Sequence, residues 1–205
     1  MNLSNPSNSM PVAQTSGRRF LFLAASTREV GITGNTEWLA RQAAANLPFG
    51  DAQQWLHLAH MDLPPFVDLR HSTGQYPMPE GDLRTLLDAT LAATDIVLVS
   101  PVYWYSLPAP IKTYIDHWSA WMRIEGVPFK DSMANKTLRL ISTSGDREKA
   151  QPMVDSVRLC AQFLSMAWGS AAGAQKAVLW GKGGPPGAAQ NDAAAVAAAR
   201  DFLLI

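Results

Sequence analysis

The run Asp95-Ile96-Val97-Leu98-Val99-Ser100-Pro101-Val102-Tyr103-Trp104-Tyr105-Ser106-Leu107-Pro108-Ala109-Pro110-Ile111-Lys112 decides the fold, because it holds a strand, a turn and a helix start in succession. Residues 95–99 are short, continuous and rich in branched side chains, which suits a strand buried on both faces of a parallel sheet. Beyond the turn, Ile111, Tyr114, Ile115, Trp118 and Met122 recur at helical spacing. Pro108 and Pro110 stand at the helix start, where a missing N–H costs little. Such a strand-to-helix loop lies at the carboxyl edge of a sheet, where open α/β proteins bind ligands.

The same alternation extends outward on both sides. Residues 20–25 predict a first strand, and Ser26-Thr27-Arg28-Glu29-Val30-Gly31-Ile32-Thr33-Gly34-Asn35-Thr36 is the loop leaving it. A helix follows through Trp38, Leu39 and Ala43 to about Leu47, with Thr33, Asn35 or Thr36 expected as its cap. Residues 52–58 predict a second strand. Residues 62–79 are irregular, and so long a loop is expected to wall or cover a site. Leu83, Leu86, Leu87 and Leu91 mark the helix that leads into the opening run. After it come a turn-rich Gly126-Val127-Pro128-Phe129, a fourth strand at 137–142 with Thr143-Ser144-Gly145-Asp146 leaving it, and a helix at 152–166. A fifth strand at 175–180 and an Ala-rich helix from about Gln190 complete the pattern. Five strands alternating with helices imply a three-layer α/β/α sandwich around a five-stranded parallel sheet. Residues 1–17, rich in Ser, Asn and Pro, read as a flexible leader, and 18–205 as a single domain.

Composition narrows the function. Seventeen basic and 17 acidic side chains balance, so no overall field favours nucleic acid or an anionic membrane. The one cysteine, Cys160, excludes an internal disulfide and a Cys-rich metal site, and its helical neighbours Met153, Val157 and Leu164 read it as a small buried hydrophobe. His57, His60, His71 and His117 are scattered, so no metal is expected. No apolar run approaches the roughly 18 residues of a membrane helix. Arg18-Arg19-Phe20-Leu21-Phe22-Leu23 has the look of a twin-arginine export signal, but the apolar segment ends at Ala25, short of the roughly 7 to 15 residues such a signal needs. A cytoplasmic protein is therefore expected.

Three loops converge if the strands follow the flavodoxin-like order 2-1-3-4-5, which sets strands one, three and four side by side. The first offers Ser26, Arg28, Thr33, Asn35 and Thr36 between a strand and a helix start, a pattern that suits a phosphate group. The second carries Tyr103, Trp104 and Tyr105 between stiffening prolines, which suits a flat ligand. The third supplies small polar groups and open backbone at Thr143, Ser144 and Gly145. Neither Gly-x-x-x-x-Gly-Lys-Ser/Thr nor Gly-x-Gly-x-x-Gly follows the first strand, which disfavours an NTP-hydrolysing loop and a Rossmann dinucleotide site.

Ser26-x-Arg28 with Gly34-Asn35-Thr36, then Ser100-Pro101-Val102-Tyr103 with Leu107-Pro108-Ala109-Pro110-Ile111-Lys112 and Asp116, then Thr143-Ser144-Gly145, resemble the NAD(P)H-dependent FMN reductase family of flavodoxin-like proteins. The resemblance implies that FMN is the cofactor and NADPH or NADH the co-substrate, with Ser26, Arg28, Asn35 and Thr36 holding the FMN phosphate. It places Pro101, Val102, Tyr103 and Trp104 along the ribityl chain and ring, and Thr143, Ser144 and Gly145 at the pyrimidine side. It further implies hydride transfer from the nicotinamide to flavin and onward to a small-molecule acceptor such as a quinone, an azo or nitro compound, or free flavin. No side chain is expected to act as a catalytic group of its own. A homodimer or homotetramer is expected, with the aromatic helix bearing Trp118, Trp121 and Met122 at the contact. The chain departs from the compact family pattern in having five residues between Arg28 and Gly34, and Asp146 where many relatives have glycine. A flavodoxin-type electron carrier is the alternative, disfavoured because such carriers steer their partners with an acidic face and this chain is neutral.

Overall fold

A computed structural model describes residues 17–169 and 176–204. The leader at 1–17 falls outside these residues except for Gly17, as does the first residue of the stretch read as a fifth strand. At the centre, β1 (Arg19–Ala24) pairs in parallel with β2 (Ala52–His57) on one side and β3 (Asp95–Pro101) on the other. Next to β3 runs β4 (Thr137–Ser144). The fifth position is shared: β5 (Ala167–Trp168) lies against Thr137 and Leu138, and β6 (Val178–Lys182) against Leu140 to Ser144. The order is β2-β1-β3-β4-β5, with β6 also on β4. The expected flavodoxin-like order thus holds, but six strands form the sheet among the described residues, because its edge is assembled from two short segments.

Alternate side chains of β1, β3 and β4 feed two apolar layers. Leu21, Leu23, Leu98 and Leu140 pack against α2 (Gly81–Ala92), α3 (Ala109–Trp121), α4 (Phe129–Ala134) and α5 (Gln151–Phe163). Phe20, Phe22, Val97, Val99 and Ile141 pack against α1 (Asn35–Ala44) and α6 (Ala193–Ala199). Burial on both faces is why these strands read as unbroken apolar runs. Helix α4 escaped the sequence reading because its six residues are too few to display a period.

Three expectations are corrected here. The cap of α1 is Gly34, and neither Thr33, Asn35 nor Thr36 caps it with a side chain. Trp118 and Trp121 are buried beside Tyr114 and Phe129, so they fill the core instead of presenting a contact face. Residues 62–79 do not reach the ligand edge. Their Pro64 carbonyl accepts a 2.8 Å bond from His117 Nε2, Phe66 meets the His117 ring edge-on, and Tyr76 Oη accepts from the Leu69 N–H at 2.8 Å. The segment is held against the α3 side of the core because its apolar residues find more burial there.

At the amino edge of the sheet every strong charge has a partner. Asp95, buried at the start of β3, accepts from Arg18 Nε at 3.0 Å and from Arg139 Nη1 at 2.7 Å, and Arg18 Nη2 also bonds its Oδ1. Arg18 Nη1 donates to the Leu203 carbonyl at 2.8 Å, tying the chain end to the sheet. Buried Lys136 donates to the carbonyls of Leu91 and Ala93 at 2.8 and 2.5 Å, satisfying groups that the end of α2 leaves open. Burial would raise the Asp95 carboxyl, but the bonds from Arg18, Thr94 and Arg139 outweigh it and hold it below its ordinary range.

Candidate functional site

The carboxyl edge is built differently. Between β1 and α1 the chain turns through Gly31 at φ +86°. The Arg28 side chain then lies across Gly34, where an added Cβ would stand 3.0 Å from its Nε. The backbone at 34 is extended and open to any residue, so what glycine provides there is room for the Arg28 side chain to lie close. With no side chain capping α1, the N–H groups of Asn35, Thr36 and Glu37 have no partner within the helix. They present the positive end of the helix dipole to the space beside Arg28.

The side chains of Asn35 and Thr36 serve the scaffold. Asn35 Nδ2 donates to the Pro185 carbonyl at 3.0 Å and its Oδ1 accepts from Ala189 N–H at 3.3 Å, while Thr36 Oγ1 lies 2.5 Å from Thr143 Oγ1. The first loop is thereby tied to β4 and to the segment after β6. What it offers a ligand is backbone, together with Ser26 and Arg28.

After β3, Tyr103 and Ser106 exchange backbone hydrogen bonds of 3.1 and 3.0 Å around Trp104 and Tyr105, whose φ angles are +50° and +64°. Two positive φ values at the centre of a two-residue turn define the type I′ form, which ordinarily takes Asn-Gly. Branch-free aromatics hold it here against a steric penalty. Trp104 is 94% exposed, so the strain lifts an indole into solvent at the mouth of the site instead of burying it. Tyr103 Oη lies 3.4 Å from Thr27 Oγ1 and joins this loop to the first.

The third wall is the end of β4. Ser144 Oγ accepts from Trp180 Nε1 at 2.8 Å and donates to the Asp146 carbonyl at 2.6 Å. Gly183 packs flat on Ser144, bonding its carbonyl at 2.8 Å, and a Cβ at 183 would stand 2.9 Å from the Ser144 nitrogen.

These walls enclose one cleft of about 480 Å³, within the roughly 300 to 1,000 Å³ usual for small-molecule sites. Ser26, Arg28, Asn35, Thr36, Pro101, Val102, Tyr103, Trp104, Thr143, Ser144 and Gly145 all line it. Thr33 does not; it lines a smaller neighbouring cavity across Arg28. The sequence reading missed Glu37, Lys149, Gly183 and Gly184, while Tyr105 lines the cleft with the rest of its loop. The glycine density at 181–187 was the available signal for the last pair, since backbone can approach closely only there. Nothing local marks Lys149, which reaches the cleft from the turn before α5.

The electrostatics are one-sided. Arg28 and Lys149 make no side-chain hydrogen bond or ion pair among the described residues. The one carboxylate in the cleft wall, Glu37, is bonded by Arg41 at 2.9 and 2.6 Å and by His57 Nε2 at 3.2 Å. Burial pulls its pKa upward, but these bonds prevail and leave it below the ordinary value. The cleft thus keeps two free cations and an open helix end at the Arg28 side, chemistry suited to a phosphate monoester, and the flat walls of the Tyr103 loop at the other. Cys160 lies outside it, in a groove between α3 and α5, with burial pushing its thiol upward.

The family described as NADPH-dependent FMN reductase matches residues 18–174. A protein of Bacillus subtilis strain 168, named as an NAD(P)H-dependent FMN-containing oxidoreductase, is 28% identical over 173 residues, covering 83% of this chain and 90% of its own. Among solved structures, the Trp repressor binding protein from Bacillus subtilis superposes with a TM-score of 0.66 at 23% identity, over 90% of this chain and 96% of that one. An NAD(P)H:quinone oxidoreductase from Methanothermobacter marburgensis gives 0.63 at 15% identity, over 91% and 96%.

Proposed function

The chain belongs to the NADPH-dependent FMN reductase family and is an FMN-dependent oxidoreductase using NAD(P)H; on that premise we propose that it delivers electrons to a quinone, an azo or nitro compound, or free flavin. The observation that carries this reading is the open cleft in which the Arg28 loop, the Tyr103 loop and the end of β4 meet. When bound, FMN supplies the redox chemistry, taking hydride from a nicotinamide and releasing electrons to the acceptor.

The residues divide the remaining work. Arg28, Ser26 and the open N–H groups of α1 hold the phosphate, and the charge they carry fits a dianion. Asn35 and Thr36 keep that loop in register. Pro101 to Tyr103 border the ring on one side, and Gly183 closes on Ser144 so that the other wall stays narrow. Gly145 and Lys149 place positive potential at the pyrimidine side, where reduction adds negative charge. Trp104 and Tyr105 stand at the mouth, where a second planar molecule enters. Tyr103 and Tyr105 donate no proton in this scheme.

Two further features belong to the reading. Leu159 and Phe163 on α5 are exposed beside a groove lined by Ile115 and Met122 of α3, and this face is the proposed contact of a homodimer or homotetramer. No helix among the described residues is long and apolar enough to cross a membrane, and the proposed setting is the cytoplasm, where nicotinamide nucleotides are available. Titration with FMN, followed by NADH or NADPH and then a quinone, tests the function. Absorbance near roughly 450 nm is expected to be bleached by one nicotinamide and restored by the quinone. Protein that takes up no FMN at micromolar concentration refutes it. Sedimentation as a monomer refutes the contact.

A further inference from the structure

Across Arg28 from the main cleft lies a second cavity of about 280 Å³, which shares Ser26, Arg28 and Glu37 with it. Its walls come from two sources. One is the stretch 29–33 that lengthens the first loop, and the other is the carboxyl end of β2 with the 3₁₀ turn after it, carrying His57 and His60. We propose that this cavity receives the adenosine 5′-phosphate part of the nicotinamide dinucleotide, an assignment that rests on the NAD(P)H-dependent reading above.

The chemistry of the walls selects a purine nucleotide. The His57 and His60 rings lie 5.7 Å apart and within 14° of parallel, offering a flat face to a base. Val30 and Ile32 border the same cavity, 80% and 53% exposed, and their apolar surface is left for a ligand to cover. Arg41 is fixed before any ligand arrives. Its Nε and Nη2 bond Glu37, its guanidinium lies 4.4 Å from the Trp55 ring centroid, and its Nη1 has no partner among the described residues. A planar cation so held is suited to a phosphate, and the Glu29 carboxylate in the same wall is an acceptor for ribose hydroxyls.

Size and placement agree. The volume falls below the roughly 300 Å³ at which complete small-molecule sites begin, so it suits part of a ligand whose remainder lies elsewhere. In the order β2-β1-β3-β4, strands about 4.8 Å apart put the His57 end roughly 12 Å from the ring walls on β3 and β4, a span that an extended dinucleotide bridges. The longer first loop acquires a purpose: it turns one side of the phosphate site into a second pocket.

ADP-ribose, which lacks nicotinamide and cannot reduce flavin, is the probe. On the FMN-loaded protein it is expected to bind one per chain by calorimetry and to compete with whichever of NADH or NADPH reduces the flavin. His60→Ala and Val30→Asp, both at exposed positions, should each weaken ADP-ribose about tenfold and raise the KM for the nucleotide in proportion. FMN affinity in both variants should stay as in the parent. ADP-ribose that fails to bind at millimolar concentration, that binds both variants as it binds the parent, or that competes with FMN overturns the assignment. Protein that takes up no FMN, or whose FMN neither nicotinamide reduces, instead breaks the functional reading itself.

Discussion

At the amino edge of the sheet Asp95 bonds both Arg18 and Arg139, whereas at the carboxyl edge the side chains of Arg28 and Lys149 bond nothing among the described residues. The same strands join both ends. Below, loops and helix ends are closed by side chains such as Lys136 on the Leu91 and Ala93 carbonyls. Above, α1 begins without a side-chain cap and a turn carries two aromatics at positive φ. Polar groups satisfied internally stabilise a fold, and groups left open bind something else. The difference therefore separates the half of the sheet that holds the protein together from the half that carries the candidate site.

Substitutions at the two edges should fail in different ways. The largest effect is expected from Asp95→Ala, which removes the buried carboxylate that bonds both Arg18 and Arg139. Urea unfolding should show a loss of about 3 to 5 kcal/mol, and a loss below about 1 would mean that the amino edge is not the anchor described. Arg28→Ala should do the reverse, weakening FMN by about 1 to 3 kcal/mol. Its unfolding free energy without FMN should stay within about 0.5 kcal/mol of the parent, and equal changes in both quantities would erase the contrast. Replacing the turn centre with the pair the geometry favours, Trp104→Asn with Tyr105→Gly, should stabilise the protein by about 0.5 to 1 kcal/mol while lowering turnover. A melting temperature that does not rise would show that the turn carries no strain.

The smallest effect is on pH dependence. Glu37 and Asp95 both have folded pKa values below their ordinary 4.5 and 3.8. Their contribution is fully present above those ordinary values and is lost as pH falls through the lower folded ones. Stability should accordingly be flat in this respect down to about pH 5 and decline below it, with Glu37→Gln making the decline shallower. Acid titration of the unfolding midpoint measures it, and an unchanged slope in Glu37→Gln would remove Glu37 from the account.

Much of this protein was legible in its residues. The apolar runs at 20–24 and 96–99 need two covered faces, so they dictated a parallel sheet, and loops after its first, third and fourth strands then had to share an edge. Eleven of the twelve residues selected on those loops meet in the cleft. Tertiary structure alone decided which atoms remain available there. Asn35 and Thr36 look like phosphate ligands in sequence, but contacts with Pro185 and Thr143, 150 and 107 positions away, engage their side chains and leave only their backbone open to the cleft. Lys149 joins the site, Thr33 leaves it, and Trp118 and Trp121 turn inward for the same reason. Periodicity reports which face of an element is covered, whereas the availability of a particular donor depends on partners that only folding brings near.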